Sequence, residues 1–186
     1  MARSKVILVD SDVISHFIAT GHINDLTGIL SPHHLCIVEN VYKEASHHPN
    51  DPLRKSKLDQ WLKKSNVNIV PFPYQNVCIK MEYYRLKKMQ PLHNDGEYAC
   101  MSMARFGSEA LASSNFSDKK EYCEAYGIEY IGTFDILYIA IRKGFYTADE
   151  ANKIIADAKQ INSARFPMDT IDGYTPGREL SEFIGA

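Results

Sequence analysis

The sequence predicts an α/β protein whose mainly parallel sheet is covered by helices on both faces. Two observations predict it. Short continuous apolar runs rich in β-branched residues, such as the one over 5–9, have the character of strands buried on both sides. These runs alternate with amphipathic stretches of helical period, the pattern of parallel strands joined by helices. The composition agrees: 186 residues, 45% apolar and 24% charged, describe an ordinary globular chain rather than a disordered one. A single domain of this size buries about 70% of the surface its unfolded chain would expose, so it needs no staples.

In order along the chain, residues 5–9 form the first strand, followed by two short helices over 13–19 and 23–30 that break near Gly21. A second strand covers 35–38. Asn40 can cap the next helix, which carries Val41, Tyr42 and Glu44. A polar stretch containing Pro49 and Pro52 then leads to an amphipathic helix ending at Lys64. Residues 68–72 form a strand closed by Pro71 and Pro73. Residues 75–90 form a helix with Ile79, Tyr83, Leu86 and Met89 on one face. Gly96 introduces a helix over 97–106. Strands over 109–113 and 128–131 each lead into a further helix. Thr147-Ala-Asp-Glu150 is a capping box for a helix to about Gln160. From Arg165 the chain carries Pro167, Pro176, Gly173, Gly177 and Gly185, and is expected to be loop and partly mobile. The expected organisation is one domain over 1–164 and a loop-rich C-terminal tail over 165–186.

Charge and cysteine content narrow the function classes. The formal net charge is −2, from 21 Lys and Arg against 23 Asp and Glu, which excludes a broadly basic protein that coats nucleic acid. Cys36, Cys78, Cys100 and Cys123 form no C-x-x-C pair and sit in or beside apolar stretches, so buried free thiols are expected. No apolar run approaches the ~20 residues of a membrane span, and no signal segment opens the chain. A cytoplasmic, soluble protein with no membrane association is expected. His33-His34 and His47-His48 are expected to be loop residues.

Active groups of parallel α/β sheets gather beyond the carboxyl ends of the strands. Three carboxylates meet that rule: Asp10 closes the first strand, Glu44 lies one helical turn beyond the second, and Glu97 follows Gly96 at a helix start. After the fourth strand come Ser113, Ser114, Asn115 and Asp118. Each has a bland role open to it, with Asp10, Asp12 or Asp118 as helix caps and Glu97 complementing a helix dipole. Together they carry more meaning. Carboxylates converging on one sheet edge repel one another unless a cation sits among them. Oxygen-only donors favour Mg²⁺ or Mn²⁺, ions that activate water and neutralise a phosphoryl centre.

The segments Val-Ile-Leu-Val-Asp10-Ser-Asp-Val-Ile, Asn40-Val-Tyr-Lys-Glu44, Asp95-Gly-Glu97-Tyr-Ala, Ala112-Ser-Ser-Asn115 and Gly127-Ile-Glu-Tyr-Ile-Gly-Thr133 resemble, in order, the motifs of PIN-domain ribonucleases. The resemblance covers roughly residues 5–145 and is nearest to a toxin-type branch with a Gly-Glu motif. It implies a three-layer α/β/α fold over the 1–164 domain. It further implies endoribonuclease activity at an acidic Mg²⁺ or Mn²⁺ site, a homodimer, and an antitoxin protein as partner in a toxin–antitoxin pair. Asp10, Glu44 and Glu97 fall on the family's acidic positions. The chain departs where the family usually has a fourth Asp: Asn115 stands there, and Asp118 is the nearest carboxylate. The expected metal ligands are thus Asp10, Glu97, Asp118 and Asn115, with Glu44 holding a second cation or the attacking water. Ser11 and Ser114 are expected at the substrate.

Within 53–88, nine basic residues stand against Asp59 and Glu82 alone, interleaved with Trp61, Tyr74, Tyr83 and Tyr84. Lys80, Arg85, Lys87 and Lys88 are the expected contacts to RNA phosphates. Two other readings stay open. Val-Asp10-Ser-Asp12-Val also resembles the opening motif of haloacid-dehalogenase-type phosphatases, with Asp10 as nucleophile and Asp12 as general acid. Ser113 or Ser114 would then bind phosphate, and Lys119 or Lys120 would supply positive charge. That family needs a late paired acidic motif, and only Asp135 follows Ile131 in the expected region. The other reading is a PIN-like module that binds RNA or protein without cutting, which Asn115 favours.

Overall fold

The computed structural model describes residues 4–48, 51–89, 95–114 and 119–184. Its centre is β1 (Val6–Val9), in which Ile7, Leu8 and Val9 are fully buried. A strand covered on both faces has no polar side to present, hence the unbroken apolar run. The strands β2 (His34–Val38), β3 (Asn68–Val70), β4 (Ala110–Ala112) and β5 (Tyr130–Ile131) complete one sheet in the order β3-β2-β1-β4-β5. Every adjacent pair is parallel, and Leu8 is in register with Cys36 on one side and Leu111 on the other. Helices flank this sheet, so the expected three-layer α/β/α fold is observed.

The helices are α1 (Ser11–Ala19), α2 (Leu26–Ile29), α3 (Glu39–Ala45), α4 (Arg54–Ser65), α5 (Val77–Met89), α6 (Asp95–Phe106), α7 (Lys120–Tyr126), α8 (Thr133–Arg142), α9 (Ala148–Asn162) and α10 (Ser181–Ile184). The capping box expected at the start of α9 is present: Thr147 Oγ1 accepts from Glu150 N–H, and the Glu150 carboxylate accepts from Thr147 N–H at 2.7 Å. Among the described residues, no helix is long and apolar enough to cross a membrane.

Three local expectations are corrected. Asn40 does not cap α3: the helix begins at Glu39, directly off β2, with Val38 at the cap position and no side-chain cap bond. With no loop between strand and helix, Asn40 falls inside the first turn and is buried. Cys36, Cys100 and Cys123 are buried free thiols as expected, whereas Cys78 is exposed on α5. Of the histidines expected in loops, His34 instead opens β2, whereas His33 lies in the loop before it and is not idle. It is buried, accepts the Lys5 N–H at Nδ1, and donates from Nε2 to the Glu182 carbonyl at 3.1 Å.

That last contact belongs to a larger attachment. The segment after Arg165 is mostly irregular, yet Ile171, Leu180 and Phe183 are buried and α10 packs on α8. Lys5 also pairs with Glu129 at 2.6 Å and with Glu182. The apolar side chains spaced along the tail give it a reason to dock, and the His33 and Lys5 contacts set where.

A second tie joins α5, α6 and α7. Glu82 is buried and accepts from Arg85 and Tyr122, while Arg105 lies 2.6 Å from its other oxygen. Burial works to raise its pKa, but the bonds from Arg85, Tyr122 and Arg105 win and hold it down to about 2. A carboxylate depressed in the folded state adds stability above its ordinary value of 4.5, and that stability is lost as pH falls toward about 2. Glu82→Ala is therefore expected to cost on the order of 2 kcal/mol at pH 7. Denaturant titrations between pH 7 and pH 2 should show the gap between wild type and variant closing below pH 4.5.

Candidate active site

The order of the strands decides where a crevice opens. From β1 the chain steps outward to β2 and β3, then returns across β1 to β4 and β5 on the other side. The connections leave β1 and β4 in opposite directions, and a cleft forms beyond their carboxyl ends. Asp10 follows β1 and Ser113 follows β4, so both stand at this cleft; the Asp10 N–H donates to the Ala112 carbonyl at 2.8 Å. Asp10 is also the N-cap of α1, its Oδ1 accepting the Ser11 N–H at 2.7 Å.

The other oxygen of Asp10 faces a buried cation supplied by the chain itself. Lys119 is only 1% exposed, with its Nζ 3.1 Å from Asp10 Oδ2 and 3.4 Å from Glu97 Oε2. The ammonium donates to Ser113 Oγ at 2.6 Å, and Ser113 in turn donates to Asp10 Oδ2 at 2.8 Å. Glu97 reaches this point from the first turn of α6. The repulsion expected among carboxylates is thus relieved at Asp10 and Glu97 by a lysine. Burial alone would raise the Asp10 pKa; the Lys119 charge and the bonds from Ser113, Lys119 and Ser11 outweigh it and leave it lowered. Burial would lower that of Lys119, but the charges of Asp10 and Glu97 raise it, so the amine stays protonated.

Glu44 enters from α3. Its Oε1 accepts the Gly96 N–H at 2.8 Å, while Oε2 is buried without a hydrogen-bond partner among the described residues. A Cβ on residue 96 would lie 2.6 Å from that oxygen, so only glycine lets the start of α6 approach the carboxylate this closely. Burial raises the Glu44 pKa, the Gly96 N–H opposes it and the Asp10 charge adds to the rise. Asp12, on α1, is also raised, by burial and then by Asp10, with Lys119 opposing.

These donors suit a hard divalent cation: three carboxylates, oxygen only, one with a buried unpartnered oxygen. Among the described residues, however, no three His, Cys, Asp or Glu side chains close around a common point. Lys119 lies within ion-pair distance of both Asp10 and Glu97. Asp10, Glu44 and Glu97 offer oxygen donors of the kind Mg²⁺ or Mn²⁺ prefers, and the Lys119 ammonium already pairs with two of them. Asn115 and Asp118 lie outside the described residues.

The remaining expected residues divide. Ser11 is buried beside Asp10, and Ser114 bonds to His16 and Thr133 rather than to the cluster. Lys87 pairs with Asp95 at 2.7 Å, two residues before Glu97, which brings that end of α5 to the rim. Lys80 and Lys88 form no ion pair with described residues. Arg85 is held by Glu82, and Arg54 is buried against Ala45 O and Ser15, so part of the basic stretch is internal structure. Lys119 is the residue that the nuclease expectation missed. A lysine just after a run of short polar residues that follows a buried strand was the only signal, and nothing local distinguishes it from exposed Lys120.

No family model, characterised protein or solved structure matches the chain. Lys119→Met removes the cation from two buried carboxylates and is expected to destabilise the protein by about 3–5 kcal/mol without divalent ions. Mn²⁺ should then raise the variant's melting temperature more than that of the wild type. A variant whose melting temperature ignores Mn²⁺ would show that Asp10 and Glu97 do not bind a divalent ion.

Proposed function

We propose that the protein is a metal-dependent endoribonuclease of PIN type, hydrolysing RNA phosphodiester bonds at the Asp10–Glu44–Glu97 cluster with Mg²⁺ or Mn²⁺. One observation carries this reading: carboxylates from β1's end, α3 and α6 gather at the switch point of a parallel sheet, where Glu44 also ties α3 to α6 and Glu97 faces Lys119. The resemblance of the five ordered segments adds RNA as substrate, a homodimer and an antitoxin partner.

When bound, the ion supplies a polarised water and neutralises charge on the phosphoryl oxygens. Asp10 and Glu97 would hold such an ion, and Glu44 would serve a second ion or the attacking water. Lys119 pairs with both carboxylates and keeps them ionised side by side. Lys87, Lys88 and Lys80 on α5 follow the flanking phosphates. Water oxygen joins phosphorus as the bond to the 3′ oxygen breaks, and the departing oxygen takes a proton, leaving a 5′-phosphate and a 3′-hydroxyl.

A second reading has an observation of its own. Ser113 and Lys119 both bond to Asp10 Oδ2, the arrangement expected of a phosphatase with Asp10 as nucleophile, and burial holds Asp12 toward its protonated, acid form. Against it, Asp10 is 2% exposed and already caps α1, leaving little room for attack. One set of assays separates the two. Asp10→Asn should cut Mn²⁺-dependent cleavage of a labelled single-stranded RNA at least a hundredfold, about 2.7 kcal/mol of barrier, while Asp12→Asn keeps most of it. Turnover of p-nitrophenyl phosphate that Asp12→Asn abolishes, with RNA untouched, would select the phosphatase. A folded, metal-binding protein that cuts neither would be a binding module.

A further inference from the structure

Beside the acidic cluster lies a cavity of about 890 Å³, bounded by α1, the start of α8 and the C-terminal segment. Its size falls in the range of about 300–1,000 Å³ typical of small-molecule sites. We propose that this cavity receives the base of one unpaired nucleotide next to the scissile phosphate, so that the identity of that base selects which bonds are cut. The proposal rests on the reading of the cluster as a nuclease only in joining the nucleotide to a longer strand.

Three features point to a nucleobase. The walls are aromatic: Phe134 lies 5.4 Å from Phe166 and 5.3 Å from Tyr174, centroid to centroid, and Tyr130 completes the lining. Flat apolar rings at a cavity wall are the surfaces on which unpaired bases stack. The inner end is polar but uncharged. Ser114 Oγ lies 3.0 Å from His16 Nδ1 and against Thr133 Oγ1, with His16 and Thr133 buried. Burial, then the Arg54 charge, lowers the His16 pKa to about 4, so its ring is neutral at pH 7 and can donate or accept at a base edge. The mouth is cationic, with exposed Lys120 and Arg165 for a phosphate.

Position and charge balance complete the case. Ser114 directly follows Ser113, the hydroxyl bonded to Asp10, and Asp12 lines the cavity two residues after Asp10. Residues next in sequence to Asp10 and Ser113 thus line the cavity, which places it beside the cluster. Two acids line the cavity: Asp12 on the side of the cluster, and Asp135, which is already satisfied by Tyr174 O–H at 2.8 Å, Arg178 at 2.8 Å and the Gly132 N–H and so does not repel a phosphate as a bare carboxylate would.

The test is binding of AMP, GMP, CMP, UMP and ribose 5-phosphate to the full chain by calorimetry without divalent ions, which needs no cleavage. At least one nucleotide should bind with a dissociation constant at or below about 1 mM, and ribose 5-phosphate at least tenfold more weakly. Phe166→Ala should weaken nucleotide binding about tenfold, and exposed Lys120→Ser should weaken nucleotide and sugar phosphate alike. Thr133→Ser, which keeps the hydroxyl, should preserve the ranking of the four bases, whereas Ser114→Ala should change it. Equal binding of nucleotides and ribose 5-phosphate, or no binding by a wild type that melts cooperatively, would overturn the proposal. Nucleotide binding without RNA cleavage would leave the pocket standing and remove the nuclease; RNA cleavage with a KM unmoved by Lys120→Ser and Ser114→Ala would do the reverse.

Discussion

The ammonium of Lys119 sits almost fully buried within 3.4 Å of Asp10 and Glu97, and the elements of the site end where it stands. Two carboxylates this deep in an α/β core would each lose several kcal/mol of hydration if unpaired. With the lysine present they can be brought together from β1 and α6 without becoming neutral. Ser113 supplies the bond that aligns both partners, because its hydroxyl accepts from one and donates to the other. The switch point of the sheet thus has a charged centre rather than an apolar one. The approach of α6 to α3 through Gly96 and Glu44 is a second consequence of building around it.

The same constraint shapes what lies next to the centre. α1 starts at Ser11 because Asp10 caps it, and this start aims Asp12 and His16 along one side of the neighbouring cavity. α8 starts at Thr133, where Asp135 accepts the Gly132 N–H and also anchors Tyr174 and Arg178 of the C-terminal segment. Arg178 in turn lies over the Tyr130 ring at 3.7 Å. The C-terminal segment is therefore a wall of the cavity, held by Asp135 at one end and by His33 and Lys5 at the other.

Basic residues are distributed less freely than their number suggests. Arg85 and Arg105 are engaged with Glu82, Arg54 with backbone and Ser15, and Lys87 with Asp95. Lys43, Lys63 and Lys64 also form no ion pair with described residues; near the site those without one are Lys80, Lys88 and Arg165, with Lys120 3.8 Å from Glu124. These lie on α5 and at the mouth of the cavity, and the acidic centre stands beside both.

Much of this was legible in the residues taken in order. Continuous apolar runs announced the parallel strands, Thr147 and Glu150 the cap of α9, and Asp10, Glu44 and Glu97 the carboxylates at one sheet edge. These are local signals, set by side-chain period, by capping chemistry within a turn, and by position at the end of a strand. Tertiary structure alone decided that Lys119 is buried while its neighbour Lys120 is exposed, that Arg85 is spent on Glu82, and that the tail closes a cavity. The reason is physical: Asp10 and Lys119 meet across 109 positions of chain, and a charge declares its partner only when packing takes both out of water.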